Sequence, residues 1–345
     1  MDIQRKGYLA QKIVFVDGQP GCGKTLFSPI VASFDRVELL TYAYEIEHAM
    51  WLKTLGKMSD DAAQGVVQLW TDLALYNLMM ARETNFRPSD LSSVFYDAHP
   101  LKYLKRLFGK GDEVVPRRIT EERPILNLTV HQLLAESEPI FAALGKRAVF
   151  IEVVRHPLYM LKQQALNMER LVEDPRHFTL YVGHNNSTIP VWAYDWADLF
   201  QASNPIEKAI YAINAMTERT NKKRAYLRER YQATIITIPF EHFVLDPTVY
   251  LAAMTEALGT TMTSATTRVL KKQRVPRQKI ADGLGLKIYQ RCGWVPPTAG
   301  ASEADELLMR RTFAADRAGA VAMKVLDQMS AEYERVYGFR KEQHA

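Results

Sequence analysis

The segment Gly18-Gln19-Pro20-Gly21-Cys22-Gly23-Lys24-Thr25 constrains this chain more than any other. It fulfils the Walker A pattern G-x-x-x-x-G-K-[ST] in full. Residues 12–17 before it are a short apolar run that reads as a buried strand, and residues 26–34 after it read as a helix. In such a strand–loop–helix unit the glycines let the backbone curl with its N–H groups pointing inward. The helix N-terminus adds partial positive charge, and Lys24 reaches the terminal anionic group. The expectation is a phosphate cradle, with Thr25 holding a magnesium ion or donating to a phosphate oxygen. Cys22 occupies a variable position of the motif and reads as a small filler rather than a nucleophile.

A chain that opens on a βα unit is expected to continue by alternation. Further strand-like runs fall at residues 36–40, 93–97, 125–129, 148–154 and 234–238. Helical periodicity occupies residues 44–55, 60–82, about ten residues from His131, then 158–172, 205–231, 247–258 and one long stretch over 303–337. The fold class expected is α/β, a P-loop-type three-layer sandwich with a central parallel sheet flanked by helices. Residues 1–345 are read as one domain with a C-terminal helical segment at about 302–340. An aromatic-rich insertion at about 174–204 breaks the alternation. It carries Tyr181, His184, Trp192, Tyr194 and Trp196, and serves either as a lid or as a local mini-core.

Composition narrows the partners. The 345 residues include 44 Lys plus Arg against 39 Asp plus Glu, a net charge of +5 that suits an anionic ligand. The basic residues are scattered, as at Arg117-Arg118, Lys222-Lys223-Arg224 and Lys271-Lys272, so no nucleic-acid partner is expected. The first apolar run, residues 13–16, is too short for a signal-peptide core or a membrane span. With only Cys22 and Cys292 and no metal-ligand spacing, a cytoplasmic protein without a resident metal is expected. Oligomeric state is not readable.

The same cradle holds ATP, GTP or an activated sulfate. An ATP/Mg2+-dependent P-loop kinase needs a carboxylate at the end of a neighbouring strand, and Asp97 after Val94-Phe95-Tyr96 offers one. A non-catalytic nucleotide-binding module is a further alternative. Two later segments favour another donor. Residues 148–157 form a strand that delivers Arg155 to its C-terminal end, where open parallel sheets bind ligands. Residues 233–247 form a strand, a turn containing Glu241, and Asp246-Pro247 opening a helix.

Together with the N-terminal loop, these segments resemble the sulfotransferase family, which uses 3'-phosphoadenosine 5'-phosphosulfate (PAPS). The resemblance spans about residues 12–260 and implies a donor site in which Gly21, Cys22, Gly23, Lys24, Thr25 and Leu26 surround the 5'-phosphosulfate. It implies that Arg155 binds the 3'-phosphate, a task that the planar guanidinium fork suits. The family's usual serine eight residues later is Gln163 here, with Gln164 beside it; a glutamine amide donates hydrogen bonds as well. The intact Gly-Lys-Thr is closer to nucleotide kinases.

By the same resemblance His131, 24 residues before Arg155, is the expected catalytic base, since imidazole exchanges protons near neutral pH. His99 is the reserve, with Asp97 as its partner, and Lys24 assists the leaving group. Lys271, Lys272, Arg274, Arg277 and Lys279, ahead of Gly283-Leu284-Gly285, fall roughly where the family brings a basic loop over the donor. The acceptor is expected to be a hydroxyl on a carbohydrate, stacked on Trp192, Tyr194 and Trp196.

Overall fold

A computed structural model describes residues 3, 5–88, 90, 92–171, 177–283, 290 and 302–338. Strand β1 (Ile13–Asp17) is buried at every position, which an extended segment sustains only inside a sheet covered on both faces. It lies at the centre of a five-stranded sheet. The other strands are β2 (Thr41–Tyr42), β3 (Leu126–Thr129), β4 (Ala148–Val154) and, after the hairpin β5 (Tyr181–His184) and β6 (Ser187–Pro190), β7 (Thr234–Pro239). The sheet order is β2-β3-β1-β4-β7 and every pairing in it is parallel.

Because strand side chains alternate, the sheet builds a core on each face. Val14, Val16, Val149, Ile151 and Val153 face one way, towards α1 (Lys24–Ala32) and later helices. Ile13, Phe15, Leu126, Leu128 and Phe150 face the other, towards α2 (Tyr44–Thr54), α3 (Asp60–Met80) and, beyond α4 (Pro100–Leu107), α5 (Val115–Glu122) and α6 (Glu138–Leu144). Phe15 stacks on Phe150 at 4.6 Å. The first face is completed by α7 (Pro157–Arg170) and, past the short α8 (Ala197–Ala202), by α9 (Pro205–Tyr231), α10 (Phe240–Leu245) and α11 (Thr248–Leu258). After α12 (Ser264–Lys272), α13 (Glu303–Ala315) and α14 (Ala320–Tyr337) close it. The expected three-layer α/β arrangement with a central parallel sheet is therefore the one observed.

Four local expectations are corrected. Residues 93–97 form a 3-10 turn (Val94–Tyr96) and no strand. There the Ser93 hydroxyl accepts from the Phe95 N–H at 3.3 Å and Asp97 accepts from the His99 N–H at 2.7 Å, local bonds that compete with a ladder. Residues 36–40 make a single bridge, Val37 to Ile125; past it the Leu39 N–H donates to the Tyr103 hydroxyl at 2.6 Å and the Glu38 carbonyl accepts from the Asn127 side chain at 3.2 Å, so side chains take the backbone groups that a ladder would use. The helix expected from His131 begins only at Glu138. The expected long C-terminal helix is two helices, α13 and α14, with the second starting after Gly319.

The expected insertion at 174–204 contains the β5–β6 hairpin, a 3-10 stretch (Val191–Trp196) and α8, gathered on a small core of Leu171, Ile189, Ala193, Ala197 and Phe200. Residues 174–176 of it, and 339–340 of the C-terminal segment, lie outside the described residues. Among the described residues no helix is long and apolar enough to cross a membrane.

Candidate functional site

The phosphate-loop motif leaves β1 between β3 and β4; the chain after β1 runs on to β2 on one side while the chain after β3 crosses to β4 on the other, and open sheets form their ligand crevice where connections diverge in this way. Gly18, Gly21 and Gly23 have φ of +147°, +87° and +106°, values that disfavour any side chain. A Cβ on Gly18 would lie 2.4 Å from the Val153 carbonyl oxygen, and one on Gly23 2.4 Å from the Phe240 ring. Helix α1 starts at Lys24, so the N–H groups of Lys24 and Thr25 have no intrahelical acceptor. The Lys24 ammonium donates to the Gly18 carbonyl and lies 3.4 Å from that of Gln19. Gln164, itself buried, braces the loop from α7 by donating to the Pro20 carbonyl at 3.0 Å.

Arg155, at the end of β4, reaches the same loop. Its Nη1 donates to the Gly21 carbonyl at 2.9 Å, while Nε is buried with no hydrogen-bond partner. The guanidinium lies over the rings of Phe240 at 4.2 Å and Tyr159 at 5.1 Å. Burial pulls its pKa down, and the Glu241 carboxylate, 3.9 Å from Nε, opposes that shift. Glu241 is itself fully buried, which pushes its carboxyl up against the pull of Arg155. It accepts from the Tyr333 hydroxyl at 2.5 Å and the His156 N–H at 3.1 Å. A second guanidinium, Arg310 of α13, sits 4.7 Å from the Tyr159 ring and is paired with Glu306 at 2.6 Å.

His131 follows β3. The buried Asp17 carboxylate fixes this turn by accepting from Leu133 and Leu134 N–H at 3.0 and 2.8 Å, and burial pushes the Asp17 carboxyl up. The His131 main-chain N–H donates to Glu47 Oε1 at 3.0 Å, and ring Nδ1 lies 3.1 Å from the same oxygen. A carboxylate only accepts, so this contact puts the proton on Nδ1 and leaves Nε2 with its lone pair. The ring stacks on Tyr44 at 5.8 Å.

These groups open onto one cleft of about 440 Å³. Of the expected site residues it brings together Gly21, Gly23, Lys24, Thr25, Leu26, His131, Arg155, Gln163 and Trp192. Cys22 does not line it: its side chain is fully buried in the core, and burial pushes its thiol up. His99 lines a separate depression with Lys102 and Lys105.

Asp97 is absent from the cleft wall, and burial pushes its carboxyl up to about 6. It therefore stands neither at a strand end nor beside the phosphate loop, as the kinase expectation requires. Tyr194 packs on Trp51 and Arg219 outside the cleft, and Trp196 packs on Phe200 and Trp192 in the hairpin core. Of the expected basic stretch only Arg277 reaches the cleft. Leu284 and Gly285 lie outside the described residues.

Several cleft residues escaped the sequence reading. Tyr44, Glu47, His48 and Trp51 stand at i, i+3, i+4 and i+7 of α2, one face of a helix. That spacing of two aromatic, one acidic and one imidazole side chain was the available signal. Lys162, Tyr159 and Arg310 carried none.

No protein-family model matches the chain, and no curated protein sequence does. Among solved structures it is similar to the sulfotransferase domain from the Synechococcus PCC 7002 olefin synthase, with 15% identity over 91% of this chain and 98% of that one and a TM-score of 0.40. It is also similar to sulfotransferase STF9 from Mycobacterium avium, with 12% identity over 96% and 77% and a TM-score of 0.40. Sulfotransferase STF1 from Mycobacterium tuberculosis H37Rv follows with 14% identity over 81% and 75% and a TM-score of 0.36. Likenesses at this level carry no inference about what the chain binds or does.

Proposed function

We propose that the chain is a PAPS-dependent sulfotransferase acting on an acceptor hydroxyl. The observation that carries this reading is Arg155, a largely buried guanidinium that lines the cleft and reaches the phosphate loop from a neighbouring strand, where its Nη1 donates to the Gly21 carbonyl. A planar guanidinium at a cleft wall meets two oxygens of a phosphate monoester at once, and the Glu241 carboxylate behind it holds it in place. The curled loop meets the other phosphate-bearing end of such a donor through the N–H groups of Lys24 and Thr25 and the Lys24 ammonium. When bound, PAPS supplies the activated sulfuryl group.

The chain's own part is positioning, proton transfer and charge. His131 Nε2 takes the acceptor hydroxyl proton, and Glu47 holds the ring in the tautomer that allows it. Lys24 neutralises charge that develops on the leaving phosphate. A magnesium-dependent kinase shares the loop but loses Asp97 as its metal ligand, and gives Arg155 no task.

Calorimetry with 3'-phosphoadenosine 5'-phosphate (PAP) and with ATP plus magnesium tests the reading on the full chain. PAP is expected to bind more tightly, and Arg155→Ala to weaken PAP by about 30-fold or more while affecting ATP far less. Equal affinity for the two, or equal losses in the variant, would overturn it.

A further inference from the structure

Resting on that reading, the wall of the cleft around His131 specifies what bears the acceptor hydroxyl. His131 stacks on Tyr44 at 5.8 Å, and Phe178 tilts onto Tyr44 at 5.6 Å. Two turns along the same face of α2, Trp51 packs with Val191, Leu180 and Trp192. Trp192 in turn shares a cluster with Leu171 and Met168 at the end of α7. All of these side chains line the cleft.

The charge in the cleft lies elsewhere. Lys24, Arg155, Lys162, Arg277 and Arg310 belong to the loop, the end of β4, the start of α7 and the C-terminal half of the chain. Glu47 is the acidic side chain beside His131, and its Oε1 already accepts from that residue's N–H. A sugar buried here would give up water at each hydroxyl, and each needs a replacement partner. His48, Gln132, Asn167, His177 and Thr179 supply some, yet fewer than the hydroxyls of a sugar need against a wall that holds Tyr44, Trp51, Phe178, Leu180, Val191 and Trp192. Of the three aromatics expected to stack sugar faces, only Trp192 is at the cleft at all. An aromatic ring loses little on desolvation and gains area and ring–ring contacts.

We infer that the acceptor is a hydroxyl carried on a flat aromatic body, a phenol or naphthol type of compound, and not a carbohydrate. Its ring lies against the Tyr44–Trp51 face of α2 and the edge of Trp192, with the hydroxyl directed to His131 Nε2.

The test titrates 2-naphthol and N-acetylglucosamine separately into the full chain, each with and without saturating PAP, by calorimetry. The expected result is 2-naphthol binding at least about tenfold tighter than the sugar in both states. Trp192→Ala is expected to weaken 2-naphthol at least about tenfold with PAP affinity unchanged. Because Trp192 also packs on Trp196 and Phe200, Phe178→Ala, at a side chain 61% exposed, gives a variant whose folding is not at risk and which should weaken 2-naphthol severalfold.

Sugar binding as tight as naphthol, no naphthol binding in either state, or unchanged naphthol affinity in both variants would overturn the inference. Naphthol binding without any PAP binding would break the donor reading and leave the aromatic acceptor site standing.

Discussion

The two halves of the cleft are built by different means. The half proposed to hold the donor is mostly main chain: three glycines at positive φ, the N-terminus of α1, and carbonyls that hold Lys24 and Arg155 in place. The half proposed to hold the acceptor is almost entirely side chain, assembled from α2, the turn after β3, the end of α7 and the segment around the β5–β6 hairpin. Main-chain sites tolerate no added atom where the backbone is tightly packed, whereas side-chain walls can be trimmed one group at a time. Substitutions in the first half should therefore act all at once, and those in the second by degrees.

The sharpest way to break this contrast is Gly23→Ala. The new methyl would meet the Phe240 ring at 2.4 Å on a backbone at φ +106°, so the loop must move or Phe240 must, and Phe240 lies under Arg155. Donor binding by calorimetry is expected to fall below detection, with the chain still folded by circular dichroism. Near-native PAP affinity in this variant would show that the loop is not the rigid element described.

Next in size is the base. His131→Ala should leave PAP affinity intact and cut sulfuryl transfer by about 10² to 10⁴. Glu47→Gln should cost less. The glutamine amide can present its N–H to Nδ1, which places the ring proton on Nε2, where a base needs a lone pair. Single-turnover rates at saturating donor measure both. A loss in Glu47→Gln larger than in His131→Ala would make the carboxylate, and not the imidazole, the proton acceptor.

The same division decides what the sequence makes legible. The phosphate loop and Arg155 are local signals, a contiguous motif and a strand end, and the runs of β1, β3 and β4 mark a sheet whose central strands are buried on both faces. Glu47 meets His131 across 84 residues, through the packing of α2 against the sheet, and no local pattern states that contact. Two of the misread stretches share a cause. At residues 93–97 and 36–40 the apolar pattern is strand-like, but Ser93, Asp97 and Tyr103 accept from main-chain N–H groups that a ladder would use. His99 and His131 look alike as histidines following such runs. The resemblance ranks His131 first by its distance from Arg155, and the fold separates the two further, giving Glu47 to one and a separate depression to the other.

Asp97 sharpens that last distinction with the smallest effect. Its Oδ2 is buried without a partner, and burial raises its carboxyl to about 6, above the ordinary 3.8. A raised folded value means that this group favours the fold while protonated, so its contribution is full below about pH 4 and is lost as pH rises through 6. Asp97→Asn keeps the acceptor for the His99 N–H and removes the ionisation.

Glu38 runs the other way. Burial alone would raise its carboxyl, but Lys102 and Arg106 outweigh that and hold it at about 2, so its contribution is lost only as pH falls below the ordinary 4.5. Between pH 5 and 8 the Asp97 effect thus stands apart from it. Urea unfolding should show the variant gaining on the wild type by about 1–2 kcal/mol across that range, since a tenfold change in proton affinity is worth ~1.4 kcal/mol. Turnover should be unaltered. A loss of turnover would return Asp97 to the active centre, and with it the magnesium-dependent chemistry that its buried place argues against.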